Sequence, residues 1–145
     1  LMHRLNFSGH GGSPLNEKPF SIKLFADDVL RFLEEKSIYN ISIFGYSMGG
    51  YVAMYLARHH PQKINKIITL ATKFTWDEAI AAKEIKMLNA EKIEEKLPDF
   101  DTALQKRHAP NNWKIILAKT ARMLVEMGND NPLKIDDYKD IQNQV

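Results

Sequence analysis

ISIFGYSMGGYVAMYLA, residues 41–57, joins three local patterns without interruption. Three of its first four residues, ISIF, are β-branched or aromatic, and the four are bounded by turn residues, which predicts a strand. A serine between two glycines follows, in GYSMG at 45–49. The apolar spacing after that predicts a helix that begins near Met48 and ends at His60, where Pro61 stops it. The segment therefore predicts a strand and a helix joined by a tight turn that carries the serine.

The flanking sequence continues this alternation of strands and helices. Ser21–Lys36 has apolar residues at helical spacing, with Ser21 as the N-cap. Ile64–Ala71 predicts a buried strand, and residues 1–7 predict a short strand closed by a glycine-rich turn. Strands that alternate with amphipathic helices are typical of a parallel sheet covered by helices. The fold class predicted from this pattern is α/β.

From Lys73 onward the pattern becomes helical, and no strand is predicted before Lys134. Thr75 and Glu78 have the spacing of a capping box at the start of a helix. The predicted helices run from this box to about Leu88, from Ala90 to Leu97 before Pro98, and from Asn112 to a C-terminal stop at Gly128. A wholly helical segment after a parallel sheet predicts an inserted cap.

Composition excludes several classes of function. The 20 basic and 18 acidic residues give a net charge of +2 and are interleaved, so no nucleic-acid surface is expected. The chain has no cysteine, which excludes disulfides and thiolate chemistry. No apolar run is long enough to span a membrane, and residues 1–4 lack the apolar run of a signal peptide. These observations predict a soluble, cytoplasmic protein.

The glycine-bracketed serine is the strongest candidate for chemistry. A serine on a tight strand-to-helix turn is sterically crowded, and Gly45 and Gly49 are expected to remove side chains that would collide there. The Met48 amide at the helix N-terminus would point toward a developing oxyanion. The match alone is a weak signal, since a glycine-rich turn is the ordinary alternative. Its position between a predicted strand and a predicted helix favours Ser47 as a nucleophile.

Several motifs in a fixed order resemble the α/β-hydrolase fold superfamily, of the serine esterase or acyl hydrolase type. Residues 6–13, NFSGHGGS, resemble the family's loop after the fourth strand, with Asn6 for the usual Asp and Ser8 for the usual Pro. Residues 25–29, FADDV, resemble the helix that follows, and His60-Pro61 resembles the helix end before the sixth strand. GYSMGG at 45–50 matches the nucleophile elbow.

The resemblance implies an organisation of the chain. Residues 1–72 would be core, from the fourth to the sixth strand, 73–134 a helical cap, and 135–145 a truncated return to the core of a doubly wound, mostly parallel sheet. The family places its acid and then its histidine after the cap, but no histidine follows His108. The family's third strand is also missing before residue 1. The chain is therefore expected to be a central fragment of the fold.

Other side chains have a structural and a functional interpretation. Tyr46, Phe74 and Trp76 are candidate substrate-binding residues, although the last two could equally pack within the core or the cap. His10 is expected to be structural, and its use as the base of a complete enzyme is the less favoured alternative. His108 is expected to lie on the surface.

Together these inferences predict a serine hydrolase. Ser47 would cleave a carboxylic ester, thioester or related acyl bond of a small molecule through an acyl-enzyme, with the Met48 amide in the oxyanion hole. No metal or organic cofactor is expected, and neither substrate identity nor oligomeric state is predicted. The alternative is a non-catalytic binding protein of the same fold, or an inactive fragment.

Overall fold

The computed structural model describes all 145 residues and confirms the α/β class. Seven helices and two strands form, in an order that alternates them up to residue 70. The elements are α1 (Ile22–Glu35), β1 (Ile41–Tyr46), α2 (Met48–His59), β2 (Ile64–Leu70), α3 (Glu78–Ile85), α4 (Ala90–Lys96), α5 (Pro98–His108), α6 (Trp113–Asn129) and α7 (Ile135–Lys139). A single 3₁₀ turn, Pro61–Lys63, joins α2 to β2. No helix has the combination of length and apolar character that crossing a membrane requires.

The chain divides into two compact units. The helical unit comprises residues 1–20 and 77–130, and the sheet unit comprises residues 21–76 and 131–145. The assignment of 1–72 to a core, 73–134 to a cap and 135–145 to a return stays a prediction that follows from the resemblance.

Two parallel strands form the centre of the sheet unit. β1 and β2 pair in register from Ile43 opposite Ile67 to Tyr46 opposite Leu70, with α2 as the crossover. A third segment begins to pair on the other side of β2, because Lys66 forms a parallel bridge with Gln144. The Ile67 amide donates to the Gln144 carbonyl at 2.9 Å. The sheet therefore extends from β1 through β2 toward the C-terminal residues.

The two faces of this sheet differ sharply in exposure. Helix α2 contacts both strands, and it buries seven of its residues: Gly50, Tyr51, Val52, Ala53, Met54, Leu56 and Ala57. Ile67 of β2 is 2% exposed, whereas its neighbour Ile68 is 64% exposed. Since successive strand residues point to opposite faces, alternation separates a covered face from an open one. Phe44, Tyr46, Ile68 and Leu70 form the open apolar face.

Helix starts follow local capping rules, with one correction. Ser21 accepts a hydrogen bond from the Leu24 amide at 3.0 Å, as predicted for the N-cap of α1. Asn112 likewise caps α6. The capping box at Thr75 is wrong, because α3 begins at Glu78 and the Asp77 carboxylate accepts from the Ile80 amide at 2.7 Å. An aspartate next to the first helical residue satisfies the free amides better than a threonine further out.

One helix of the helical unit was not predicted, and one predicted strand does not form. Pro98 does follow the end of α4, but it also occupies the first position of α5, where a proline is favoured. That helix has no buried residue, so it left no apolar periodicity to detect. The predicted strand at residues 1–7 does not form. A strand requires a partner for its backbone hydrogen bonds, and the helical unit contains no other strand.

Gly128 does not end α6, which continues to Asn129. A Cβ at Gly128 would lie 2.8 Å from the Ala81 Cβ and 2.8 Å from the Asp77 carbonyl oxygen. This glycine therefore permits α3 and α6 to pack closely within the helical unit. Its role is steric, and the prediction of a helix stop was wrong.

Candidate active site

Ser47 lies at the junction between β1 and α2 in a strained conformation. Its φ of 50° and ψ of −118° fall outside the regions that L-residues ordinarily adopt. Such a conformation costs on the order of 1–3 kcal/mol and persists only where the surrounding structure imposes it. Although Ser47 occupies the N-cap position of α2, its side chain makes no capping hydrogen bond. The hydroxyl is exposed and is not used to stabilise the helix.

Of the two glycines that the sequence predicted to relieve crowding around Ser47, only one has that role. A Cβ on Gly45 would lie 2.5 Å from the backbone of Gly50, so the turn does require this glycine. A Cβ on Gly49 would meet nothing within 4 Å. The expected steric role of Gly49 is therefore wrong. The second crowded position is Gly50, where a Cβ would lie 2.0 Å from the Thr72 hydroxyl oxygen.

Both backbone polar groups of Ser47 are held at the end of β2. The Ser47 amide donates to the Leu70 carbonyl at 2.8 Å. The Thr72 hydroxyl donates to the Ser47 carbonyl at 2.9 Å. Between them Ala71 has a φ of 54°, so the chain leaving β2 also turns through the left-handed region. Sequence reasoning missed Thr72, and only its place directly after a predicted strand could have drawn attention to it.

Met48, the predicted oxyanion donor, is the first residue of α2. Amides in the first turn of a helix have no acceptor inside the helix, and the helix dipole places partial positive charge there. Helix geometry thus supplies a donor next to the serine. The Gly50 amide instead donates to the Ser47 carbonyl at 3.0 Å.

The predicted substrate-binding residues have different surroundings. Tyr46 directly precedes the serine and is 66% exposed on the open face of the sheet. The Phe74 ring packs edge-on against the Tyr138 ring, with centroids 5.9 Å apart. The Trp76 indole donates to the Lys73 carbonyl at 3.2 Å. Phe74 and Trp76 thus make contacts within the sheet unit itself, and a role in substrate binding stays a prediction for all three.

An open groove of about 460 Å³ also occurs in the sheet unit, on neighbouring parts of the strands. None of the predicted site residues lines it. Its lining consists of Ser42, Ile43, Phe44, Lys66, Ile67, Ile68, Gln144 and Val145. No three histidine, aspartate or glutamate side chains come together as a metal site would need.

No histidine of the sheet unit can serve Ser47 as a base. His59 and His60 stand at the C-terminal end of α2, and Ser47 stands at its N-terminal end. At 1.5 Å per residue, the twelve residues of α2 separate these groups by about 18 Å. Proton transfer needs a heavy-atom distance of about 3 Å or one bridging water. A base would have to come from outside the sheet unit.

In the helical unit, His108 contacts both the glycine-rich loop and a second histidine, His10. The Gly11 amide donates to His108 Nδ1 at 3.2 Å, and the rings of His10 and His108 have centroids 5.8 Å apart. Burial lowers the pKa of His108, and the charges of His10 and Arg107 lower it further. The prediction that His108 is a surface residue is wrong, because it is half-buried and accepts a backbone hydrogen bond. His10 Nδ1 lies 3.1 Å from the Ser8 carbonyl, a contact within its own loop.

The fold and the site together define a class of protein in which a strained serine lies on the turn from a parallel strand to its crossover helix. The family model for the alpha/beta hydrolase fold matches residues 2–107. The chain therefore belongs to the alpha/beta hydrolase fold family. The resemblance inferred from the elbow and its flanking motifs is confirmed.

Curated relatives match about half of this chain. A pimeloyl-[acyl-carrier protein] methyl ester esterase of Aeromonas hydrophila is 35% identical over 72 residues, which are 49% of this chain and 27% of that enzyme. The 3-oxoadipate enol-lactonase 2 of Acinetobacter baylyi is 34% identical over 73 residues, which are 50% of this chain and 27% of that enzyme. The match thus spans about a quarter of the length of these relatives.

Solved structures share the fold over most of this chain. A hydrolase from Pseudomonas aeruginosa PA01 aligns with a TM-score of 0.54 at 26% identity, over 83% of this chain and 46% of that one. The enol-lactonase from Burkholderia xenovorans LB400 aligns with a TM-score of 0.58 over 83% of this chain and 52% of that one. Its identity of 18% shows a shared fold alone.

Proposed function

We propose that this chain carries the nucleophile of a serine hydrolase that cleaves small-molecule carboxylic esters, thioesters or related acyl compounds. The observation that carries the proposal is the conformation of Ser47, which is strained, exposed and free of a helix-capping bond. Strained backbone is concentrated at functional sites, where other contacts stabilise it. The names of the relatives agree, because a methyl ester esterase and an enol-lactonase both open an ester bond.

The proposed reaction has two stages. The Ser47 Oγ attacks the ester carbonyl while a base accepts its proton, and the carbonyl electrons move onto oxygen as an oxyanion. The Met48 amide donates to that oxyanion. The protonated base then gives its proton to the leaving oxygen, and collapse of the intermediate expels the alcohol and leaves an acyl group on Ser47. Water then attacks the acyl-enzyme and releases the acid.

The base in this proposal is a histidine outside the sheet unit. The helical unit contains His10, which the sequence had suggested as a less favoured base. Retained hydrolysis in His10→Ala would exclude the His10 ring as the base. His108 is a poor candidate, because its Nδ1 already accepts the Gly11 amide.

The direct test is covalent labelling with a fluorophosphonate probe, followed by intact mass measurement. We expect one adduct on the purified protein and none on Ser47→Ala. Turnover of a p-nitrophenyl ester should fall by on the order of 10⁶-fold in that variant, as it does when a serine protease loses its nucleophile. Ser42→Ala is the matched control, since Ser42 is an exposed serine of β1.

The alternative is a binding protein that retains the fold without catalysis. The observation in its favour is that neither histidine of the sheet unit can reach Ser47. A folded protein that takes up no probe would reject the hydrolase proposal in favour of this one, whereas an adduct that persists in Ser47→Ala would reject Ser47 as the nucleophile.

A further inference from the structure

Thr72 makes a hydrogen bond at the candidate site that the hydrolase proposal does not use. Its hydroxyl donates to the Ser47 carbonyl at 2.9 Å, across 25 residues of sequence. The same hydroxyl lies 3.5 Å from the Leu70 carbonyl, at the upper limit for a hydrogen bond. The Ser47 carbonyl is therefore the principal acceptor for Thr72.

The space around this hydroxyl is available only because residue 50 is a glycine. A Cβ at Gly50 would lie 2.0 Å from the Thr72 Oγ1 and 3.0 Å from the Thr72 Cβ. Any side chain at position 50 would displace the threonine. The hydrogen bond and the missing Cβ are two separate observations that put the Thr72 side chain against the turn.

The bonded carbonyl shares a peptide group with the proposed oxyanion donor. The Ser47 C=O and the Met48 N–H belong to one planar trans unit, so the direction of either group fixes the direction of the other. In that unit the two bonds point to opposite sides. A donor that holds the carbonyl on the β2 side therefore aims the Met48 N–H away from β2.

We propose that Thr72 is a positioning residue that orients the Met48 amide by holding the Ser47 carbonyl. The inference rests on the hydrolase proposal for its catalytic consequence, but the orientation of the amide is a structural statement with its own readout. The Ser47 amide is held separately by Leu70. Without the Thr72 hydroxyl, the peptide that follows Ser47 keeps only the hydrogen bond from Gly50.

Three variants separate the hydroxyl from the size of the side chain. Thr72→Val keeps the shape and removes the donor, whereas Thr72→Ser keeps the donor and removes a methyl group. Thr75→Val is the matched control, since it makes the same chemical change at an exposed threonine three residues further along. Thermal unfolding of each protein establishes that it is folded under the assay conditions.

The kinetic readouts are the fluorophosphonate labelling rate and ester turnover. Thr72→Val should lower both the labelling rate and kcat by about 10- to 100-fold with KM unchanged, because deleting an oxyanion donor outright costs about 10²–10³-fold. Thr72→Ser should recover the labelling rate to within about threefold of the original, since it restores the charge-stabilising geometry. Labelling of Thr72→Val at the original rate would overturn the inference, and so would a serine variant as slow as the valine.

The structural readout is independent of catalysis. In amide NMR spectra, the Met48 resonance should shift in Thr72→Val, and it should return toward its original position in Thr72→Ser. If the original protein takes up no probe, the hydrolase proposal fails while this measurement still tests Thr72. A Met48 resonance unchanged in Thr72→Val would refute the positioning role.

Discussion

Two of the four non-glycine residues with positive φ lie where the strands of the sheet unit end. Ser47 follows β1 and Ala71 follows β2, and both have positive φ without being glycine. The left-handed region costs an L-residue roughly 1–2 kcal/mol, so two such residues at one sheet edge require compensating contacts. The hydrogen bond that Ser47 donates to Leu70 and the one that it accepts from Thr72 are such contacts. Strain and hydrogen bonding here act on the same peptide groups.

A first prediction compares the two adjacent glycines of the elbow. Gly50→Ala should destabilise the protein by about 1–3 kcal/mol, because the new Cβ would overlap the Thr72 side chain. Gly49→Ala should be neutral or stabilising by up to about 1 kcal/mol, because its Cβ enters open space within a helix. Urea unfolding of the two variants measures both values.

Equal destabilisation by these substitutions would contradict the geometry of the elbow. It would mean that Gly49 is as crowded as Gly50. The probe labelling rate adds a second comparison, and it should fall in Gly50→Ala alone, because displacement of Thr72 would disturb the peptide between Ser47 and Met48.

At the element scale, α5 ends in a contact with the glycine-rich loop near the N-terminus of the helical unit. The Gly11 amide donates to His108, and the Asn111 amide group donates to the carbonyls of Gly9 and Ser13 at 3.1 and 2.6 Å. A histidine that accepts through Nδ1 must be neutral at that nitrogen. The loop contact is consequently sensitive to pH.

A second prediction follows for the pH dependence of stability. The pKa of His108 is lower in the folded protein than its ordinary value of 6.5, so the unfolded chain binds more protons as pH falls below that value. Stability from this group is thus fully present above pH 6.5 and declines as pH falls through the folded pKa. Urea unfolding at pH 7.5 and 5.5 should show this loss in the original protein.

The comparison variant is His108→Gln, whose side-chain oxygen can still accept from Gly11 and does not titrate. At pH 7.5 the two proteins should agree within about 1 kcal/mol, the usual net value of one hydrogen bond. At pH 5.5 the glutamine variant should have lost less stability. Parallel losses in both proteins would show that His108 does not cause the pH dependence.

On the scale of the whole molecule, each compact unit is built from two distant segments of chain. In the sheet unit, residues 131–145 are held by side chains of α2. The Tyr51 hydroxyl accepts from the Leu133 amide at 3.0 Å and also pairs with the Asn131 side chain. Arg58 forms ion pairs with Asp137 and Asp140 at 2.9 and 3.1 Å. These contacts join segments about eighty residues apart.

A third prediction concerns the buried member of this set. Tyr51 is 2% exposed, and Tyr51→Phe would leave the buried Leu133 amide without its acceptor. An unsatisfied buried donor costs about 1–3 kcal/mol, so the unfolding free energy should fall by that amount. Amide exchange at Leu133 should accelerate as well.

Tyr55→Phe provides the matched control one turn further along α2. Tyr55 is only partly buried and packs its ring against His59, so loss of its hydroxyl should change stability by less than about 0.5 kcal/mol. If Tyr55→Phe destabilised the protein as much as Tyr51→Phe, the Leu133 hydrogen bond would not be the cause.

Much of the fold was predictable because it depends on near neighbours in the chain. The Ser21 cap, the strand before the elbow and the helix after it all follow from apolar periodicity and capping, which act within a few residues. The elbow pattern around Ser47 is local in the same sense. Errors arose where two local signals competed, as Thr75 and Asp77 did for the start of α3.

The sequence by itself determined the family, the parallel strands with their crossover helix, and the serine between them. Only the tertiary structure decided which glycine is crowded, which hydroxyl holds the Ser47 carbonyl, and which phenol accepts the Leu133 amide. Those roles depend on atoms 22 to 82 residues away. Local sequence patterns do not indicate such distant contacts, because these contacts form only when packing brings separate segments together.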